Sequence, residues 1–224
     1  MEAINENKIK NPVLAKLHND TSFYGTILIP DISGFTKFVS ETEFDIGRDI
    51  TSSLLKVIID SNTLNLKISE IEGDAVLFYK KDHITPAQIK YQFEIMLNNF
   101  NYKINEIKAE TGMEIGLSLK LIAHYGEIST YKIGSFEKLY GKSVIEAHSL
   151  LKNSIGSNSY ILITDDLFNK SKKDIDSSFY YGSQLCEVHG NLKRICFSYF
   201  DYEKDLLNIK ATFNVMAHHA TLWA

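Results

Sequence analysis

Cysteine and proline are scarce in this chain of 224 residues, which has two cysteines, Cys186 and Cys196, and three prolines. Two isolated cysteines supply neither a disulfide framework nor a four-ligand zinc centre, which favours a reducing, cytoplasmic setting. No linker rich in glycine or proline, no repeat and no low-complexity tract divides the chain. The twelve glycines stand singly. Neither G-x-G-x-x-G nor G-x-x-x-x-G-K-S/T occurs, so a Rossmann or P-loop nucleotide site has no support. No apolar run approaches a membrane span, and the opening MEAINENKIKNPVLAKL lacks the apolar core of a signal peptide. A basic excess is missing too. With Lys+Arg 24 against Asp+Glu 28, a net charge of −4 and a pI near 6.0, the sequence speaks against a nucleic-acid partner.

What is present is core-forming material: 44% hydrophobic and 12% aromatic residues, enough for one sizeable domain. Residues 1–22 read as a polar N-terminal arm, 23–203 as the domain and 204–224 as a C-terminal extension. YGTILIPD (24–31) is a strand rich in β-branched residues. From SGFTKF onward the spacing turns helical, with Ile50, Leu54, Val57 and Ile58 on one face. Residues 64–81 form a hairpin with Glu72-Gly73-Asp74 at its turn. Thr85 caps a helix that has Pro86 at its first position and ends at Gly112, with Ile89, Phe93, Met96, Phe100, Ile104 and Ile107 as the buried stripe. A strand over 114–134, a helix over 141–155, a strand over 159–164 and an antiparallel pair around His189-Gly190-Asn191 follow. The segment after 205 fits a strand or an edge helix. Helices interspersed among strands in this order predict an α/β sandwich with a mixed sheet.

Asp31 and Asp74 each stand at the edge of an apolar run, beside a glycine-containing turn. Two carboxylates so placed can hold a hard cation that shares its remaining positions with phosphates and water. The backbone of Ser33, Gly34, Phe35 and Thr36, at a helix start, would then face those phosphates. The alternative is structural: Asp31 caps the helix and Asp74 occupies a turn.

The segments DISGFTKF, EIEGDAVLFY, LIAHYGEIS, IGSFEKLYGKSVIEAHSLL and CEVHGNLKRICFSYF, in this order and spacing, resemble the catalytic domain of class III nucleotidyl cyclases over roughly residues 24–200. The resemblance implies an α+β fold with a ferredoxin-like core and a mixed, mainly antiparallel sheet. It implies that Asp31, Asp74 and the carbonyl of Ile32 hold Mg2+ or Mn2+ on a nucleoside triphosphate, two ions in the family, and that the chain works as a homodimer. It assigns base reading to Glu70 and Lys138, a pair suited to guanine or uracil; a plain salt bridge between the two, or two solvated side chains, explains them as well. The family's triphosphate-gripping lysine falls on His189, with Lys193 and Arg194 nearby; a hairpin turn with solvated basic residues explains all three equally well.

The family's transition-state asparagine and arginine fall on Ile145 and Ser149, which offer no amide and no charge. Loss of one such donor costs about 2.7–4 kcal/mol. Substitutes one turn along the same helix are Asn153 and Lys152, with His148 on the neighbouring face; an ordinary polar helix face explains all three as well. Three functions stay open on this basis. One is a nucleotide-binding pseudoenzyme, one is an active cyclase with a rearranged catalytic helix, and one is a dimerisation module. His218 and His219 in the tail have no metal-ligand spacing.

Overall fold

The computed structural model describes residues 22–171, 182–190 and 192–203. In chain order the elements are β1 (Phe23–Ser33), α1 (Phe35–Glu41), α2 (Phe44–Asp60), β2 (Lys67–Glu72), β3 (Ala75–Lys81), α3 (Pro86–Thr111) and β4 (Ser118–Ile133). Then come β5 (Phe136–Tyr140), α4 (Lys142–Ser149), β6 (Tyr160–Thr164), α5 (Asp165–Lys170), β7 (Ser183–Val188) and β8 (Arg194–Asp201). The strands lie in the order β2-β3-β1-β4-β6-β8-β7, and β5 pairs with β4 outside that path. Among the described strands only β4 and β6 pair in parallel; every other strand pair is antiparallel. This is the mixed, mainly antiparallel α+β sandwich that the sequence predicts.

Strand alternation builds a core on each face of the sheet. Leu28, Ile32, Val76, Phe78, Leu119 and Leu121 face α2 and α3, meeting Ile50, Leu54, Ile89, Phe93 and Phe100. Ile27, Ile29, Leu77 and Ile122 face the other way, toward Ala147 and Leu150 of the α4 segment. Because β1 is covered on both faces it reads as one apolar run.

α3 forms as its sequence dictates. Thr85 accepts from Gln88 N while the Gln88 side chain bonds back to the cap, Pro86 needs no N–H partner, and Gly112 ends the helix at φ 71°. Ile104, expected in the buried stripe, is only partly buried at the edge of that core. Gln92 also lies on the buried face with no exposure. Its amide accepts from Thr63 and Leu64 N–H and donates to Ser61 O at 2.6 Å, pinning the turn between α2 and β2.

Several boundaries differ from expectation. The first helical stretch is two helices, because Glu43 accepts from Ile46 N and starts α2 afresh. β1 continues to Ser33, so Asp31 lies inside the strand. β5 and α5 were not predicted. α4 stops at Ser149 instead of reaching 155, since Leu150 forms its C-cap. The two cysteines pair directly across β7 and β8, with Sγ atoms 2.09 Å apart. The sequence reading did not foresee this bond. Among the described residues no helix is long and apolar enough to cross a membrane. The N-terminal arm before Ser22, Asn191 and the extension from 204, including His218 and His219, lie outside the described residues.

Candidate functional site

Asp31 sits opposite Lys120 in the β1–β4 register and opposite Ala75 in the β1–β3 register. The β1–β3 pairing skips Ile29 and Pro30, where proline brings no N–H to the ladder. By alternation Asp31 shares a face with Ile27 and Ile29, and Lys120 shares that face with Ile122; α4 lies over it. Asp74 arrives from the two-residue turn between β2 and β3, whose first position, Gly73, has φ 60°. Ile32 N donates to Asp74 O at 3.3 Å, tying that turn to β1. α1 begins at Gly34, which carries φ 86° and would bring any Cβ to 2.7 Å from the Gly116 carbonyl oxygen. No side chain caps α1, so Asp31 is not a helix cap.

The two carboxylates meet in a cleft of about 710 Å³ lined by Asp31 to Lys37, Glu72, Asp74, Lys120, His148 and Lys152. Burial, and next the charge of Asp31, push the Asp74 carboxyl from the ordinary 3.8 up to about 6. Lys120 Nζ lies 2.8 Å from Asp31 Oδ2, and both side chains are less than one-fifth exposed. Burial opposes the charge on Lys120, but the hydrogen bond to Asp31 and the carboxylate's charge outweigh it and raise the lysine above its ordinary value. A carboxylate pair in which one member resists ionisation is under-compensated, even with the lysine present. Its hard oxygen donors suit one divalent cation that takes further ligands from phosphate and water. Among the described residues no cluster of three or more His, Cys, Asp and Glu side chains forms a self-sufficient metal cage.

The structure brings together most of the sequence-selected residues. Ser33, Gly34, Phe35 and Thr36 line the carboxylate cleft, as do Ile32, His148 and Lys152. Glu70 on β2 and Lys138 on β5 form an ion pair with one another, and His148 Nε2 lies 3.8 Å from Glu70. Other residues fall elsewhere. The helical face shared by Ile145, Ser149 and Asn153 does not exist, because α4 ends before Asn153. Asn153 instead donates to Leu150 O and to the Tyr160 hydroxyl, both at 2.7 Å, a structural task. Ser149 Oγ donates to Glu146 O. His189 is not among the lining residues and lies 3.0 Å from Glu187, while Lys193 reaches Asp166.

Sequence reasoning missed Lys120. A signal was available, since a lysine in the apolar run LSLKLIA must find a partner if the strand is buried. It missed a second buried group for the same reason. His124, 1% exposed, contacts Thr164 Oγ1 at 3.0 Å and Glu146 Oε2 at 3.3 Å beneath α4.

Strand order and the two covered faces define a class III nucleotide cyclase-like fold. Solved structures agree on the fold. The adenylyl cyclase CyaB from P. aeruginosa superposes with a TM-score of 0.60 at 16% identity, over 80% of this chain and 95% of that one. A guanylyl cyclase gives 0.62 at 15% identity, over 80% and 93%. The guanylate cyclase domain of RhGC from Catenaria anguillulae, in complex with GTP, gives 0.50 at 18% identity, over 80% and 96%. More particularly, residues 51–160 match a family described as a protein of unknown function, DUF2652. An uncharacterized protein of Mycobacterium tuberculosis is 28% identical over 121 residues, which is 51% of this chain and 57% of that protein. The matched stretch thus spans little more than half the length of that relative.

Proposed function

We propose that the Asp31–Asp74 cleft binds a divalent cation, Mg2+ or Mn2+, together with a nucleoside triphosphate, and that the chain is a nucleotide-binding pseudoenzyme working as a homodimer. The observation that carries this reading is the partly buried carboxylate pair, in which burial, and next the charge of Asp31, push Asp74 up to about 6. The cleft lining balances Asp31, Glu72 and Asp74 against Lys37, Lys120 and Lys152. A triphosphate would add negative charge to that lining, and an accompanying divalent ion would offset part of it. Asp31, Asp74 and the Ile32 carbonyl would hold the ion, which when bound neutralises and polarises phosphate oxygens.

The pseudoenzyme assignment rests on α4. Ile145 is 60% exposed and apolar, Ser149 is bonded to its own helix, and Asn153 is bonded to Leu150 and Tyr160. None of the three supplies a charged donor for a transferring phosphate. An active cyclase is the second reading, favoured by His148 and Lys152, which line the same cleft as the carboxylates. Base recognition would require Glu70 and Lys138 to part from each other and turn to a guanine or uracil edge. Dimerisation is supported by exposed apolar side chains on neighbouring elements: Ile68 and Ile71 on β2, Ile133 and Phe136 on the β4–β5 arm, and Ile145 on α4.

The test is a panel of ATP, GTP, CTP and UTP with magnesium or manganese, with binding followed by thermal shift and product by mass spectrometry. Metal-dependent stabilisation without cyclic product is expected, and Asp31→Ala with Asp74→Ala abolishes the metal dependence while the protein stays folded. Unchanged binding in that double variant removes the site. A cyclic product removes the pseudoenzyme assignment.

A further inference from the structure

A second cavity, of about 720 Å³, lies at the other end of the β1–β4 pair, a volume suited to a small-molecule ligand. The first residues of β1, the second half of β4, the start of α4 and α5 enclose it. Its Tyr24 stands seven positions along β1 from Asp31, about 23 Å in an extended strand. No described residue lines both this cavity and the carboxylate cleft.

The lining includes Glu146, which is only 3% exposed. Its Oε2 lies 3.3 Å from Nε2 of the equally buried His124. Contact with His124 outweighs burial and holds the Glu146 carboxyl below its ordinary 4.5, so a fixed negative charge stands here at neutral pH. The other oxygen, Oε1, is buried and closes no hydrogen bond. Lys142 Nζ stands 3.3 Å from it, on a side chain that is 60% exposed. A buried carboxylate oxygen without a donor is costly, and an ammonium that water solvates as readily is a weak remedy.

The rest of the lining sets the charge and shape of a ligand. Lys193 faces Asp166 at 3.3 Å, and Lys170 lies over the Tyr125 ring at 5.8 Å from its centroid. An anion would therefore meet the buried Glu146 and lysines already engaged. A cation finds Oε1 and an aromatic face that already attracts one ammonium. The Tyr24 and Tyr125 rings, with centroids 6.1 Å apart and tilted by 31°, supply that face. A planar amidinium or guanidinium group suits the combination, because it brings parallel N–H donors to a carboxylate on a flat body.

We infer that this cavity is a second ligand site, for a small planar organic cation of the amidinium or guanidinium class, anchored by Glu146. The ligand's N–H groups take the place of the Lys142 ammonium at Oε1, and its flat body lies against Tyr24 and Tyr125. The site does not depend on the nucleotide-binding reading above.

The probe is benzamidine, titrated into the full chain by calorimetry beside neutral benzamide and anionic benzoate. Wild type, Glu146→Gln and Lys142→Met are compared, with a melting curve for each. Wild type should bind benzamidine at least about tenfold more tightly than benzamide, and should not bind benzoate. Glu146→Gln should weaken benzamidine by about ten- to a hundredfold, the loss for one charge-assisted hydrogen bond. Lys142→Met removes the competing ammonium and should tighten benzamidine by about two- to fivefold, which a merely structural ion pair would not do. No benzamidine binding to folded wild type, equal binding of benzamide, or unaltered affinity in a folded Glu146→Gln overturns the site. If Glu146→Gln does not fold, the benzamide comparison and Lys142→Met decide, and weaker binding in Lys142→Met then overturns it.

Discussion

Replacing Asp74 by asparagine makes the electrostatic argument quantitative. The substitution keeps shape and hydrogen-bonding capacity but removes one of two charges that burial and Asp31 make costly. A carboxyl displaced from 3.8 to about 6 costs at most about 3 kcal/mol when ionised. Asp74 is only half-buried, and solvent screening brings this to about 1–2 kcal/mol. In a chain of this size each kcal/mol moves the melting temperature by about 2–4 °C. Metal-free Asp74→Asn at neutral pH should therefore melt about 2–8 °C above wild type. The pH dependence has a definite sign. The folded carboxyl binds its proton more tightly than the unfolded one. This contribution therefore favours folding below the unfolded value of 3.8 and is lost as pH rises through about 6. The advantage of Asp74→Asn should accordingly vanish in acid and be complete at neutral pH. Differential scanning calorimetry in chelator, across that range, tests both statements. Saturating magnesium should then reverse the order, because only wild type keeps both carboxylates for the ion. A variant that melts below wild type in chelator at neutral pH, or a gap that ignores pH, refutes the reasoning.

Two further outcomes are expected. Gln92→Leu leaves the Thr63 and Leu64 N–H groups and the Ser61 carbonyl without their partner, and should cost about 1–3 kcal/mol by urea unfolding with nucleotide binding intact once folded. Phe136→Asp, at a side chain 70% exposed on the β4–β5 arm, should convert a dimer to a monomer by light scattering without lowering the monomer's stability. An unchanged mass would show that the arm is not the contact.

The sequence alone determined the elements whose signals are local. The Thr85-Pro86 start and Gly112 stop bound α3 because caps and φ restrictions act within a few residues. The β2–β3 hairpin and its glycine turn were legible in the same way, and the order of elements set the α+β class. The motif pattern also picked out Asp31 and Asp74, which the fold brings into one cleft. Only the tertiary structure decided what surrounds them. Lys120 is eighty-nine residues from Asp31 and meets it solely through the β1–β4 register, which no periodicity reports. The pairing of Glu70 with Lys138, and of Cys186 with Cys196, likewise depends on which strands become neighbours. The early end of α4 shows the limit from the other side. The apolar spacing runs on past Ser149, but Asn153 finds Tyr160 on the following strand, β6, and that bond accompanies a chain turning out of the helix. Short-range sterics and hydrogen bonding thus write the elements into the sequence. Charge compensation, set by through-space neighbours in a partly buried cleft, is written only in the folded chain.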